Sequence, residues 1–372
     1  MKKNILIIDD SALIRRVLSD IINSDERLQA EDIATNGVEG LDLIVSNPTK
    51  YSAILLDINM PRMNGLEFLE KLNKHNIKIP TIVVSTVAKE GARETIRALE
   101  LGAFDFVTKP GSFLEAKSDT FKNRILEVIL LAVKLDAEYL DSSIAALKKA
   151  EKTPEVKTPR TTTSAMPVRR PMTVGKSLKG TKLVAIACST GGPRALQDVI
   201  PTLPRNLDAP VLLVQHMPEG FTNSLASRLN EMSQIRVKEA EDGDVLEKGV
   251  VYIAKGGRQM RLNRISEGNY KIAVVQEPAR NGLKPCADIM YESLISSDFE
   301  EITCVVLTGM GADGTSGIKQ LKENKKIYVI AQDEATCTVY GMPKVVAQSG
   351  LTDEVVPLKK VSGAITQNVG VR

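Results

Sequence analysis

Apolar residues in the first 110 positions come in short runs that alternate with stretches of helical period. The run Ile5 to Ile8 ends at Asp9, and Leu13, Ile14, Val17, Leu18, Ile21 and Ile22 then recur at three- and four-residue spacing, with Ser11 placed to cap that helix. Ala53 to Leu56, Thr81 to Val84 and Phe104 to Val107 are further buried-strand runs, separated by helical patterns at Val38 to Val45, Leu66 to Leu72 and Ala92 to Leu101. Strands alternating with helices join by right-handed crossovers, so a doubly wound parallel (βα)5 sheet with helices on both faces is expected. The alternation resumes at Leu183. Strands are expected at Leu183 to Ala187, Val211 to Val214, Val250 to Ile253, Lys271 to Val275, Thr303 to Leu307 and Ile327 to Ile330, with helices around Ala195, Leu225, Ile289, Ile318 and Val345. Met260 and Ile272 flank Glu267-Gly268-Asn269, the pattern of an antiparallel hairpin. The second unit is therefore α/β with a mainly parallel sheet and one hairpin.

Between these units the pattern changes twice. Phe121, Ile125, Val128, Ile129, Ala132 and Leu135 keep one helical stripe, expected to run past Leu140 toward Lys149. From Glu151 to Lys179 the chain is rich in Pro, Thr, Ser, Lys and Arg, the composition of a flexible tether. The expected divisions are 1–120, 121–182 and 183–372, and 372 residues suit two cores better than one. The net charge is only +3, yet Lys148 to Lys182 holds ten Lys or Arg against Glu151 and Glu155. The basic charge thus belongs to the tether, with too few aromatics for a nucleic-acid surface. No basic helix-turn-helix follows Leu183, which argues against a DNA-binding output. Ile5 to Ile8 is too short for a signal peptide and no run approaches a membrane span, so no membrane insertion is expected. Cys188, Cys286, Cys304 and Cys337 fit neither a zinc pattern nor a disulfide framework, and reduced cytoplasmic thiols are expected.

Polar residues collect where the strands of the first unit end: Asp9 and Asp10, Asp57, Ser85 and Lys109. Three carboxylates on one rim are costly without a cation, and such a rim suits phosphoryl transfer onto a carboxylate with Mg²⁺ neutralising the moving group. Asp57 would attack and Lys109 would pair with the new charge. Asp9-Asp10, LLDINMPRMNGLE from Leu55 to Glu67, Ser85, Phe106 and Lys109-Pro110 resemble a response-regulator receiver domain. The resemblance implies that a partner histidine kinase phosphorylates Asp57. It also implies that Asp10, Asp57 and the Asn59 carbonyl bind Mg²⁺, and that Ser85, Phe106 and Lys109 form the switch. Thr86 competes with Ser85 for the hydroxyl role; Ser85 is preferred because it directly ends the strand.

In the second unit LVAIACSTGGP runs from Leu183 to Pro193, an apolar strand opening into a Gly-Gly-Pro turn and a helix. Ser189 there reads as a nucleophile, although the same turn would serve as a plain strand-to-helix connection or a phosphate cradle in a non-enzymatic module. His216 follows VLLVQ, and Asp313 follows CVVLTGMGA. Serine, histidine and aspartate are a nucleophile, its base and the acid that orients the base. The chain has two histidines, and His75 lies beside Lys74 and Asn76 at an expected helix end, so a histidine base here must be His216. Asp313, Asp333 and Asp288 all sit near element ends, and spacing does not separate them.

IACSTGGP, QHMPEGFTNSLASRL, GVVYIAKGGRQMRL, VVLTGMGADGTSGI and AQDEATCTVYGMP resemble the catalytic domain of the chemotaxis protein-glutamate methylesterase (CheB) family over nearly all of Leu183 to Val356. That resemblance implies Ser189 as nucleophile, His216 as base and Asp313 as orienting acid. They would hydrolyse glutamate γ-methyl esters of chemoreceptors and deamidate receptor glutamines, with no cofactor for the hydrolysis. Amides of the Gly191-Gly192 turn or of the Gly309 to Gly311 turn are candidates for the oxyanion hole. The receiver is expected to block a shallow cleft until Asp57 is phosphorylated. Two positions depart from the family: Cys188 stands where alanine is usual, and Gln259 where histidine is frequent.

Overall fold

In the computed structural model, residues 2–86, 88–133, 178 and 180–372 are described. Five strands, β1 (Lys3–Ile8), β2 (Leu28–Ala34), β3 (Ala53–Asp57), β4 (Thr81–Ser85) and β5 (Asp105–Thr108), form a parallel sheet in the order β2-β1-β3-β4-β5. Alternation within β1 shows how both faces are covered: Ile5 and Ile7 pack with helix α1 (Ala12–Asn23), while Leu6 and Ile8 pack with the opposite layer. That layer includes α2 (Gly37–Ser46), α3 (Gly65–Lys74) and α4 (Lys89–Glu100), and after α5 (Phe113–Ala116) helix α6 (Asp119–Ala132) completes the first face. Local capping fixes the starts. The Ser11 hydroxyl accepts from the Ile14 amide, and Asn64 and Glu67 close a reciprocal capping box on α3. The carboxyl ends of β1, β3, β4 and β5 therefore meet at one rim.

The second sheet comprises β6 (Lys182–Cys188), β7 (Val211–Gln215), β8 (Arg236–Glu239), β9 (Val250–Ile253), β12 (Glu301–Val306), β13 (Ile327–Gln332) and β14 (Glu354–Val356). All pairings are parallel in the order β14-β13-β12-β6-β7-β9-β8, and β10 (Gln259–Ser266) with β11 (Asn269–Val275) forms a separate antiparallel hairpin. Helices α7 (Gly192–Val199), α8 (Phe221–Met232), α9 (Ala287–Ser293), α10 (Thr315–Asn324), α11 (Met342–Gln348) and α12 (Val361–Val369) cover it. Connections leave the central β6 in both directions. The crevice beyond its carboxyl end is where open α/β sheets place ligands.

Three strands escaped the sequence reading, β2, β8 and β14. All lie at sheet edges, and LQAEDIA, RVKE and EVV lack the apolar run that marks a central strand. The expected continuation of α6 toward Lys149 and most of the expected tether lie outside the described residues. Leu178, assigned to the tether, is instead buried, and its amide donates to the Gly268 carbonyl at the hairpin turn. The two units pack together. One apolar cluster runs from Leu99, Ala103 and Phe106 of the first to Phe221 and Leu225 of the second. Arg228 Nε and Nη2 lie 2.5 and 3.3 Å from the two carboxylate oxygens of Glu100. No helix among the described residues is long and apolar enough to cross a membrane.

Candidate functional site

At the rim of the first sheet Asp57 is buried, and Lys109 Nζ lies 2.7 Å from its Oδ2 and 2.9 Å from Asp9 Oδ2. Burial pushes the Asp57 carboxyl above its ordinary range against the pull of Lys109. Burial disfavours charge on Lys109 too, but the two aspartates outweigh it and hold the ammonium above its usual value. Asp9, Asp10 and Asp57 each offer a carboxylate oxygen, all within 4.8 Å of one another, and Asp9 is buried with the Lys109 ammonium against its Oδ2. Hard oxygen donors so gathered fit Mg²⁺. Asp9 thus joins the cluster expected from Asp10, Asp57 and Asn59, whose side-chain amide donates to Glu94. Ser85 is buried, its hydroxyl 3.3 Å from the Gly91 carbonyl, whereas Thr86 is exposed.

The second site grows from β6. Ser189 follows its last residue, and the Ser189 amide donates to the Thr308 carbonyl, tying the turn to the loop after β12. Gly191 takes φ +78°, where a β-carbon would collide with Thr338, so the turn needs glycine. His216 leaves β7 beside it, its amide donating to the Cys188 carbonyl. His216 Nε2 lies 2.8 Å from Asp313 Oδ2. That carboxylate also accepts the amides of Ala287, Asp288 and Gly314 and the Cys286 thiol. Burial pushes Asp313 upward, but His216 and these donors outweigh it and hold the carboxyl below its ordinary range. With Nε2 directed at Asp313, Nδ1 is the nitrogen open to a substrate proton. Ser189 Oγ and His216 are not hydrogen-bonded among the described residues, but both line one cavity of about 530 Å³.

The acids left open by spacing separate cleanly. Asp288 Oδ1 accepts the Gly314 and Gly317 amides, and Asp333 caps the turn at Thr336. Among the oxyanion candidates, the Gly192 amide donates to the Ser189 carbonyl and the Gly309 amide to that of Val339. Gly191 and Gly311 keep the positive φ of open turns. Gln259 binds the Pro278 and Leu283 carbonyls and the Cys286 amide, an arrangement that anchors a loop and moves no proton. Burial pushes the Cys188 thiol well up, and it donates to Gln215 Oε1 at 3.0 Å, so it stands beside the nucleophile as an unreactive thiol. His75 ends α3 in solvent, as expected.

The first unit roofs this cavity. Asp105, Phe106, Val107, Thr108 and Arg124 line it together with Ser189 and His216. Thr190 Oγ1 donates to Asp105 Oδ2 at 2.9 Å, and the Phe106 and Phe221 ring centroids are 4.6 Å apart. Asp105 and Thr190 were hidden from sequence reading for different reasons. Asp105 sits inside a strand run, and Thr190 reads as part of the nucleophile's turn. A carboxylate at the start of an otherwise apolar strand was the available signal.

Two family models match the chain, the response regulator receiver domain over residues 5–117 and the CheB methylesterase over residues 184–365. A Pyrococcus abyssi protein named protein-glutamate methylesterase/protein-glutamine glutaminase is 39% identical over 368 residues, covering 99% of this chain and 94% of its own. A Bacillus subtilis protein of the same name is 38% identical over 367 residues, covering 98% of both. The crystal structure of the Thermotoga maritima CheB methylesterase catalytic domain is similar over 51% of this chain and 99% of its own, with 41% identity and a TM-score of 0.49.

Proposed function

Because the chain belongs to the CheB methylesterase family and carries a receiver domain ahead of the catalytic one, we propose that it hydrolyses glutamate γ-methyl esters on chemoreceptors and deamidates receptor glutamines under phosphorylation control. The observation that carries this reading is that Ser189 and the Asp313-bound His216 line one cavity, roofed by β5. Ser189 Oγ attacks the γ-carbonyl while His216 Nδ1 takes its proton. Asp313 holds the Nε2 proton and balances the imidazolium. The proton passes to the leaving group, methanol from an ester or ammonia from an amide. Water activated by the same nitrogen then releases the glutamate and restores Ser189. Amides of Gly191 and Gly311 remain the glycine candidates for the oxyanion.

Control starts at Asp57, which accepts a phosphoryl group from a partner histidine kinase. Asp10, Asp57 and the Asn59 carbonyl, with Asp9 beside them, would hold Mg²⁺, which when bound would supply charge neutralisation for that transfer. Ser85 and Lys109 meet the phosphoryl oxygens, and Phe106 follows Ser85. Movement of Phe106 against Phe221 weakens the docked arrangement and opens the cleft to a receptor helix. A chemoreceptor's signalling side is cytoplasmic, and the enzyme belongs there.

The test is methanol release from methylated receptor membranes, with and without Mg²⁺ and a small phosphodonor, beside Ser189→Ala. Activity that rises with phosphodonor and vanishes in the variant is expected. Full activity in Ser189→Ala overturns the nucleophile, and phosphodonor-independent activity overturns the control.

A further inference from the structure

Gln215 ends β7 immediately before His216 and is 1% exposed. Its side chain reaches across the sheet rather than along its own strand. Nε2 donates to the Ser189 carbonyl at 3.0 Å and to the His216 carbonyl at 3.1 Å. Oε1 accepts the Cys188 thiol at 3.0 Å. The amide orientation is fixed by chemistry, because the reverse would aim an oxygen at two carbonyl oxygens. The Ser189 carbonyl also takes the Gly192 amide at 2.8 Å, so this turn is held from within and from β7. A β-carbon at Gly192 would collide with Gln215 Oε1, so the glycine leaves the amide its place.

We infer that Gln215 is a positioning residue for the hydrolysis, a brace that sets the nucleophile's turn against the base's turn, with Cys188 completing it. The inference deepens the triad reading and rests on it. Ser189 and His216 come from adjacent strands, and beyond the last rung only short turns carry them. One primary amide bonding both their carbonyls fixes the offset between those turns. A misplacement of 1 Å between reacting groups costs on the order of 100-fold in rate. The Cys188 thiol's bond to Oε1 saturates the remaining buried acceptor of that amide.

The test uses the full chain with phosphodonor and methylated receptor membranes, measuring kcat and KM separately, together with the labelling rate of Ser189 by a fluorophosphonate. Gln215→Glu keeps the shape but turns a donor toward two carbonyls into an acceptor. Gln215→Met keeps the volume with no donor and no charge. Both are expected to lower kcat and labelling in parallel by about 30- to 100-fold with KM within about twofold. Cys188→Ala, which leaves both Nε2 bonds, is expected to lower kcat by about threefold or less. Wild-type kcat in either folded Gln215 variant overturns the inference while Ser189→Ala stays inactive. Activity in Ser189→Ala removes the triad reading instead. If both Gln215 variants melt below the assay temperature, the residue is part of the fold alone and the inference is likewise overturned.

Discussion

Arg228→Ala isolates the docking of the two domains from the chemistry they enclose. The guanidinium meets Glu100 through two nitrogens, and Glu100 is 7% exposed in its side chain against 37% for Arg228. A wholly exposed pair contributes at most about 1 kcal/mol, and breaking a wholly buried one costs about 3–5 kcal/mol. This pair lies between those limits. Arg97 at 2.8 Å also stays to pair with Glu100 after the change, which removes most of the penalty for an orphaned carboxylate. A loss of about 1 kcal/mol from the docked state follows, a shift of ~5-fold in the docked-to-open ratio. Arg228 does not line the cavity of Ser189 and His216, so the open enzyme should be unchanged. The expected result is methanol release ~5-fold above wild type without phosphodonor, and a distinctly smaller rise with saturating phosphodonor, where the open form is already well populated. The double exchange Glu100→Arg with Arg228→Glu should return basal activity toward the wild-type level. Unchanged basal activity, or an equal change in both conditions, would refute the assignment of this pair to docking.

Asp57→Asn should keep basal methanol release and lose its stimulation by phosphodonor, with no incorporation of labelled phosphate. Asp313→Asn should cut kcat by about 10³- to 10⁴-fold, as its NH₂ must face either His216 and the Ala287 amide at the Oδ2 position or the Asp288 and Gly314 amides at the Oδ1 position; circular dichroism distinguishes this from unfolding. Burial in the docked interface raises the Asp105 carboxyl, with Arg124, its own Phe106 amide and Thr190 only partly offsetting it. The docked form therefore binds the proton more tightly than an open form in which Asp105 meets water, and docking is strongest below the open-state pKa and weakens as pH rises through the docked one. The ratio of basal to phosphodonor-stimulated activity should rise with pH across that range, and Asp105→Asn should flatten the rise; an unaltered slope in the variant would exclude Asp105 as its origin.

Central strands and the chemistry at their ends were legible because a buried parallel strand must be apolar throughout, and a polar residue just beyond it stands out. Ser189, His216 and Asp313 all follow such runs. The edge strands β2, β8 and β14 face solvent on one side and lose that signature, and α12 was missed although Val361, Ile365 and Val369 hold helical spacing. Spacing alone left Asp313, Asp288 and Asp333 open, since each is an acid at an element end; the family resemblance pointed to Asp313, and it is the carboxylate against which His216 lies. Gln215 was invisible for another reason. A polar residue closing an apolar strand reads as the strand's solvent end, and here it turns inward to two carbonyls from different turns.

Strand β5 joins the two sites within five residues. Lys109, just past its end, contacts Asp57, while Asp105 at its start bonds Thr190 beside the nucleophile, and Phe106 lies against Phe221. As an edge strand, β5 turns its unpaired side to the second domain, and Asp105 and Phe106, adjacent residues of opposite faces, both make contacts across the junction. A phosphoryl group on Asp57 would draw on Ser85 and Lys109, and Ser85 pairs with Thr108 in the ladder, so the disturbance enters the strand that holds the junction. The aromatic contact contributes about 1 kcal/mol beyond its burial, and a hydrogen bond to a carboxylate about 1.5–3 kcal/mol. Loss of both weakens docking by roughly 3 kcal/mol, a change on the order of 100-fold in the docked-to-open ratio. Full conversion from 1:99 to 99:1 needs about 5.5 kcal/mol, more than these contacts hold. Loss of these two contacts alone would therefore grade the activity and not switch it fully, since the apolar cluster and the Arg228–Glu100 pair would still hold the junction.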